Sequence, residues 1–260
     1  MFKSIENLNI DNIKKLDIYE GVFADFYEDL SGIYPEELEI YLRSAYATNG
    51  KVLELACGNG RITLELAKND VEVIGVDYSN DMLSILEQKL KKQPRKIKNK
   101  VTFFQGDVFN LKLQEDFSLV ILPATTTCLF VDDVEKIAGV FNYLYEKLPS
   151  GGRFVFDYIC ESKHFKEESV NIHTKEEDNI KQFTMWQEFR NEIPGRAIMN
   201  FYMERINGET TERFLGHTDK RIVSDKLINE IIGKTKFKVI ETIEANNSLV
   251  GNVKYVVLEK

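Results

Sequence analysis

Apolar residues recur at helical spacing through the first 48 positions. Ile18, Tyr19, Val22, Phe23, Phe26, Tyr27 and Leu30 form one stripe, which breaks at Ser31-Gly32. Pro35 suits the first turn of a second helix, which carries Leu38, Tyr41, Leu42 and Ala45 on one face. Residues 1–48 therefore read as helical throughout. Beyond them the period changes. Lys51–Leu55, Val71–Val76, Val101–Gln105, Phe117–Leu122 and Arg153–Tyr158 are short apolar runs of strand length. Helical stretches separate them: Ile62–Lys68, then one capped by Ser79 or Asn80 and carrying Met82, Leu83, Leu86 and Leu90. A third is capped by Asp132 and carries Ile137, Val140, Phe141, Leu144 and Leu148. Strand alternating with helix implies a parallel sheet covered on both faces. Right-handed crossovers then put every strand C-terminus on one edge, where ligands bind at the point of reversed strand order.

After residue 158 the texture changes. Glu161–Lys181 is polar and reads as loop or irregular helix, whereas Phe183–Arg190, Ala197–Ile206 and Thr210–Thr218 read as strands. Asn207-Gly208 between the last two is a hairpin signal. Ser224 starts a helix that Gly233 ends, and Phe237–Ile243 and Val253–Leu258 finish the chain as strands. The expected fold is α/β: a doubly wound, mainly parallel seven-stranded sheet with an N-terminal helical cap and an inserted antiparallel sheet. The expected divisions are the cap (1–48), a ligand-binding α/β core (49–159), the inserted sheet lying over the ligand edge as an acceptor lid (160–220), and a C-terminal helix with the last two core strands (221–260).

Composition narrows the partners. Of 260 residues, 43% are hydrophobic and 29% charged, as in ordinary globular chains. A net charge of −8 disfavours phosphate backbones, so no nucleic-acid partner is expected. The basic run KKQPRKIKNK reads as a solvated linker. Cys57, Cys128 and Cys160 lack disulfide or zinc spacing, and only His164, His173 and His217 are present, so neither a disulfide framework nor a metal site is expected. The start of the chain lacks a signal-peptide apolar run, and no stretch approaches the ~18 apolar residues of a membrane span. A cytoplasmic protein with reduced thiols, without a membrane partner, is the expectation.

The chemistry concentrates in Glu54-Leu55-Ala56-Cys57-Gly58-Asn59-Gly60, a tight loop between strand and helix. Gly58 and Gly60 let the backbone turn sharply and approach a ligand, and the following helix aims its amide-rich end there. A dinucleotide-binding loop is the main rival, but it wants a third glycine where Thr63 stands. Glu54 would also repel a pyrophosphate, and would suit an ammonium group. Asp77, ending the second strand, suits a pair of ribose hydroxyls in either case. Asp107, after the third strand, suits an adenine amine, with Val108 packing on the ring.

The runs VLELACGNGR, VIGVDYS, FFQGDV and LVILPA resemble four successive motifs of class I S-adenosylmethionine (SAM)-dependent methyltransferases. The resemblance covers about residues 50–158 and implies SAM as cofactor. It implies that Glu54, Ala56 and Gly58, with Asn59 and Gly60 of the same loop, line the methionine and ribose side, and that Asp77 holds the ribose. Tyr78, Met82, Asp107 and Val108 would lie near the adenine, with Leu122, Pro123 and Ala124 as the floor beneath the sulfonium. Asp25-Phe26-Tyr27-Glu28-Asp29-Leu30 is similar to the segment that closes over SAM in small-molecule methyltransferases, which singles out Tyr27 for a cofactor and catalytic role.

The architecture is similar to that of small-molecule and peptide amine N-methyltransferases. Pro123-Ala124-Thr125-Thr126 stands where base and amide methyltransferases carry an Asn-Pro-Pro-Tyr type segment. An ammonium acceptor must lose a proton before it attacks, and Asp157, Tyr158, Trp186, Arg213 and His217 are the polar candidates on the ligand edge or the insert. Asp157 and His217 join Tyr27 as the expected catalytic groups, His217 because it titrates in the right range. The expected activity is methyl transfer (EC 2.1.1.-) to a small molecule or peptide at an amine nitrogen. An O-methyltransferase and a non-catalytic SAM-fold binding protein stay open as alternatives.

Overall fold

The computed structural model describes the chain apart from residues 1–4, 6–9, 31, 33, 114–116, 161–166, 191–192 and 248–250. A short strand β1 (Ile13–Lys15) precedes helices α1 (Gly21–Leu30) and α2 (Pro35–Thr48). Then β2 (Val52–Leu55), α3 (Arg61–Lys68), β3 (Val73–Asp77), α4 (Asn80–Lys91), the short α5 (Arg95–Lys98) and β4 (Val101–Gln105) alternate. They are followed by β5 (Leu119–Leu122), α6 (Val134–Lys147) and β6 (Arg153–Ile159). Four long strands come next: β7 (Glu167–Glu177), β8 (Ile180–Arg190), β9 (Arg196–Asn207) and β10 (Thr210–Arg221). Helix α7 (Asp225–Gly233) and strands β11 (Lys238–Asn247) and β12 (Gly251–Glu259) close the chain.

The main sheet has seven strands in the order β11-β12-β6-β5-β2-β3-β4. Its β4, β3, β2, β5 and β6 are parallel, and β12 runs antiparallel to β6. The central strands are buried from end to end, which is why their sequences are continuous apolar runs. Alternation still sorts their side chains. Leu53, Leu55, Val120 and Leu122 join Ile137, Phe141 and Leu144 of α6 on one face. Val52, Leu119 and Ile121 join Ile40 and Tyr41 of α2 and Ile62 and Leu66 of α3 on the other. Strand order reverses at β2, with β3 on one side and β5 on the other, so the ligand crevice opens at their C-terminal ends.

The second sheet is five-stranded, in the order β1-β10-β9-β8-β7. Three departures from the sequence reading are seen here. Residues 13–15 are not helical but pair in parallel with Arg213–Leu215. Residues 167–177, read as loop or irregular helix, form a full strand joined to β8 by Asp178-Asn179, both at positive φ. Asp and Asn tolerate that conformation, so the pair makes a two-residue hairpin turn. This edge strand is poor in apolar residues, and its Val170 and Ile172 point to solvent, which hides the alternation. The cap of α6 is Asp133, whose carboxylate accepts the Lys136 N–H, because Asp132 is engaged by Arg196 and Arg221. The Ser79 and Ser224 caps and the Asn207-Gly208 turn form where expected.

One face of this second sheet packs on α1. Phe23 and Phe26, with Ile18, meet Phe201, Met203 and Phe214, and Trp186 lies edge-on to Phe26 at 5.6 Å. All three cysteines are buried and unbridged. Among the described residues, no helix is long and apolar enough to cross a membrane.

Gly60 marks where the core tolerates no side chain. Its φ is +75°, and a Cβ there would lie 2.2 Å from Leu86 Cδ1 of α4. Gly60→Ala should cost about 2–4 kcal/mol, summing the left-handed penalty and overpacking. Gly139 of α6 has open space around it, so Gly139→Ala should be neutral or stabilising by up to about 1 kcal/mol. Urea unfolding of both variants checks the contrast; equal destabilisation would remove the steric account.

Candidate active site

The turn from β2 into α3 is shaped by left-handed backbone. Ala56, Gly58 and Gly60 have φ of 54°, 54° and 75°. The Gly58 N–H donates to Asp77 Oδ2 at 2.7 Å, and the Ser79 N–H donates to Asp77 Oδ1 at 2.8 Å. The carboxylate at the end of β3 thus holds both its own turn and the glycine loop. Burial raises the Asp77 carboxyl above the usual range, opposed by the N–H groups of Ser79, Gly58 and Tyr78.

This turn borders a cavity of about 340 Å³. Glu54, Ala56, Gly58, Asn59, Asp77, Tyr78, Met82, Asp107, Val108, Pro123 and Ala124 all line it, as does Tyr27 from α1. These residues come from four strand ends and the N-terminal cap. Glu54 is 1% exposed and accepts the Thr63 hydroxyl at 2.6 Å; burial pushes its carboxyl up to about 8. Asn59 donates to Glu28 Oε2 at 2.6 Å, which ties α1 to the glycine loop. Asp107 caps a short 3₁₀ turn by accepting the Phe109 N–H at 2.9 Å and the Asn110 amide at 2.7 Å. Tyr27 sits edge-on to Tyr19 at 5.8 Å, and burial raises its hydroxyl above the usual phenol range, with the Arg61 cation opposing.

Several expected residues stand elsewhere. Gly60 does not line the cavity, since it is spent on the approach of α3 to Leu86. Leu122 points into the α6 face of the core, because sheet alternation turns it away from the crevice. His217 is exposed: on β10, Phe214, Gly216, Thr218 and Lys220 share one face, and His217 lies with the exposed Asp219 on the other, past the point where Leu215 is still covered. Asp157 is 2% exposed and buried beneath the turn after β5, where both its oxygens accept the Thr125 N–H at 2.9 and 3.0 Å. Burial raises its carboxyl, and it does not line the cavity. Tyr158 donates to Asp225 at 2.8 Å, and Arg213 pairs with Glu204 at 2.9 Å, both away from the cavity. No described residue of the inserted sheet lines this cavity.

Other lining residues were not foreseen. Asp17, Tyr19 and Glu20 come from the segment before α1, and Leu129 and Phe130 from the 3₁₀ turn after β5. Arg61, the residue after Gly60, also lines the cavity, and both guanidinium arms are held by the Glu37 carboxylate, one of them at 2.9 Å. Its signal was position alone, directly following the glycine loop. That of Tyr19 lay in its place on the aromatic stripe that also carries Tyr27.

A parallel sheet with a reversal at β2, a glycine turn there, and carboxylates at successive strand ends define the class I methyltransferase architecture. A family profile described as a methyltransferase domain matches residues 47–226, and the chain belongs to that family. It is 26% identical over 202 residues to "Putative methyltransferase YqeM" of Bacillus subtilis, covering 76% of this chain and 77% of that one. It is 26% identical over 168 residues to the malonyl-[acyl-carrier protein] O-methyltransferase of Bacillus cereus, covering 63% of this chain and 58% of that one. Among solved structures, the sugar N-methyltransferase KedS8 from Streptoalloteichus superposes with a TM-score of 0.71 at 17% identity, over 92% of this chain and 94% of that one. The fold is that of the class I SAM-dependent methyltransferases.

The Glu54 carboxyl gives a pH test. Its folded pKa is raised to about 8, so its contribution to stability is full below the usual carboxylate range and is lost as pH rises through about 8. Glu54→Gln cannot ionise and escapes that loss. Between pH 5 and 9 the ligand-free wild type should lose roughly 5 °C more in Tm than the variant, an order-of-magnitude figure for a few kcal/mol in a chain of this size. Parallel Tm profiles would show that Glu54 is not the ionising group.

Proposed function

We propose that the cavity binds SAM and that the chain transfers its methyl group to an amine nitrogen of a small molecule or peptide. The observation that carries this reading is the sign of the cavity wall. Asp17, Glu20, Asp77 and Asp107 line it beside the protonated Glu54, and its Arg61 guanidinium is already engaged by Glu37. Such a wall repels a pyrophosphate and favours a ligand carrying a sulfonium and an ammonium. The cavity volume lies at the lower end of the range for small-molecule sites. The glycine turn supports the fit: a Cβ at Gly58 would stand 3.0 Å from Met82 Cε and fill the space beside Asp77.

Within this reading, Asp77 accepts from the ribose hydroxyls, Asp107 from the adenine amine, and Glu54 faces the ammonium. Pro123 and Ala124 form the floor, and Tyr27 closes the side toward α1. When bound, SAM supplies an electrophilic methyl on its sulfonium. The chain's own task is placement and exclusion of water, and burial keeps the Tyr27 hydroxyl protonated as a fixed dipole.

An amine acceptor is favoured by the same negative wall, with Asp17 and Glu20 exposed at its rim to draw an ammonium. It is also favoured by the turn after β5. The Pro123 carbonyl accepts the Thr126 hydroxyl and N–H at 2.6 and 3.2 Å, and the Ala124 carbonyl accepts Lys220 Nζ and the Thr125 hydroxyl, both at 2.7 Å. Neither carbonyl has a lone pair left to orient the N–H of a planar amide or base. The likeness to a sugar N-methyltransferase supports the reading at the level of fold.

Asp77→Ala should weaken SAM binding roughly ten- to hundredfold through lost charge-assisted hydrogen bonds. Calorimetric titration of SAM and NAD against wild type and variant tests the cofactor. NAD affinity without SAM affinity would overturn it.

Within this reading no described side chain is assigned as base, and an ammonium acceptor loses its proton to water. Methyl transfer should therefore rise with pH along the acceptor's own titration, and should be indifferent to chelator. A screen of amines, peptides and phenols by mass spectrometry identifies the acceptor. Methylated phenols, or activity lost in chelator and returned by magnesium, would favour oxygen instead.

A further inference from the structure

Lys220 lies at an inward position of β10, in line with Phe214, Gly216 and Thr218. Its ammonium crosses from the inserted sheet to the turn after β5, where it donates to Ala124 O at 2.7 Å and to Thr125 Oγ1 at 2.8 Å. From the opposite side, in the main sheet, Asp157 accepts the Thr125 N–H. Ala124 O and Thr125 N belong to the same peptide group. A cation therefore grips the oxygen end of one peptide, and a carboxylate grips its hydrogen end.

We propose that Lys220 and Asp157 clamp the Ala124–Thr125 peptide, and that Lys220 is a positioning residue through which the inserted sheet sets the cavity floor. The inference rests on the reading of this cavity as the SAM site. Ala124 and Thr125 have φ of 63° and 53°, and neither is glycine. Two successive left-handed residues with side chains are disfavoured, and persist where surrounding structure over-determines them. Turning the peptide over would swing its oxygen from Lys220 and its hydrogen from Asp157, leaving a buried ammonium and a buried carboxylate without these partners. The two grips, one at each end of the peptide, thus outweigh the local preference and hold Ala124 against the cavity. Neither Lys220 nor Asp157 lines the cavity, so both act through the peptide they hold.

A merely structural ion pair and a peptide clamp respond differently to glycine. Lys220→Met keeps the length of the side chain and removes the donor. The full-length variant should bind SAM roughly tenfold more weakly by calorimetry, the scale of one relaxed left-handed residue. The Thr125 amide, followed by hydrogen exchange, should exchange at least roughly tenfold faster than in wild type. Adding Ala124→Gly to Lys220→Met should restore most of the SAM affinity, because glycine takes positive φ freely. Wild-type SAM affinity in Lys220→Met, unchanged exchange at Thr125, or no rescue by glycine would each overturn the clamp. If Lys220→Met does not melt cooperatively, Lys220→Gln, which keeps one donor, carries the same measurements. A wild type that does not bind SAM would overturn the cofactor reading, while exchange at Thr125 still decides the clamp.

Discussion

The site depends first on the carboxylate of Asp77. One oxygen holds the Gly58 N–H and the other the Ser79 N–H, so β3 and the glycine loop are locked in register beyond the end of the sheet. The consequences spread from there. Ser79, placed by that contact, caps α4 and donates its hydroxyl to the Tyr19 carbonyl at 2.5 Å. Two residues on, Asp81 accepts the Gly21 N–H at 2.7 Å. The N-terminal cap is thus attached to the core through groups whose positions follow from Asp77. A half-buried carboxylate already oriented by two backbone donors is fixed before any ligand arrives.

The two sheets stand differently toward the cavity. Every described residue lining the cavity lies between Asp17 and Phe130. The inserted sheet supports α1 through Phe201, Met203 and Phe214, and meets the turns after β5 through Lys220 and the pairs of Arg196 and Arg221 with Asp132. It shapes the cavity from behind. Change in that sheet can alter the walls without touching the cofactor motifs, and the relatives described above carry O- and N-methyltransferase names on related cores.

Much of this was legible along the chain because the core obeys simple periods. Runs such as VLEL and VIGVD are apolar on both sides only when helices cover both faces, and their carboxylates and glycines fall at strand ends by position. What stayed hidden depended on tertiary partners. Nothing local marks residues 13–15 as a strand, since their pairing partner is on β10. The edge strand β7 shows its apolar residues to solvent, so alternation pointed nowhere. His217 and Lys220 are separated only by parity on one strand. Reading Phe214 and Gly216 as inward positions would have turned His217 out and Lys220 in. Leu122 was misplaced for the same reason, one residue before the chain leaves the sheet.

The pairing of β1 with β10 also orders events in time. Ile13 meets Arg213, roughly two hundred positions later in the chain. On a ribosome, the central strands can assemble while the segment before α1 still has no edge to join. That segment carries Asp17, Tyr19 and Glu20 to the cavity. Its strand can dock only after β10 has been synthesised and paired with β9. The cavity is thus begun among the early residues, where Ser79 and Asp81 already hold Tyr19 and Gly21, and its N-terminal wall gains its second anchor only by a late long-range closure on β10, which ends at Arg221.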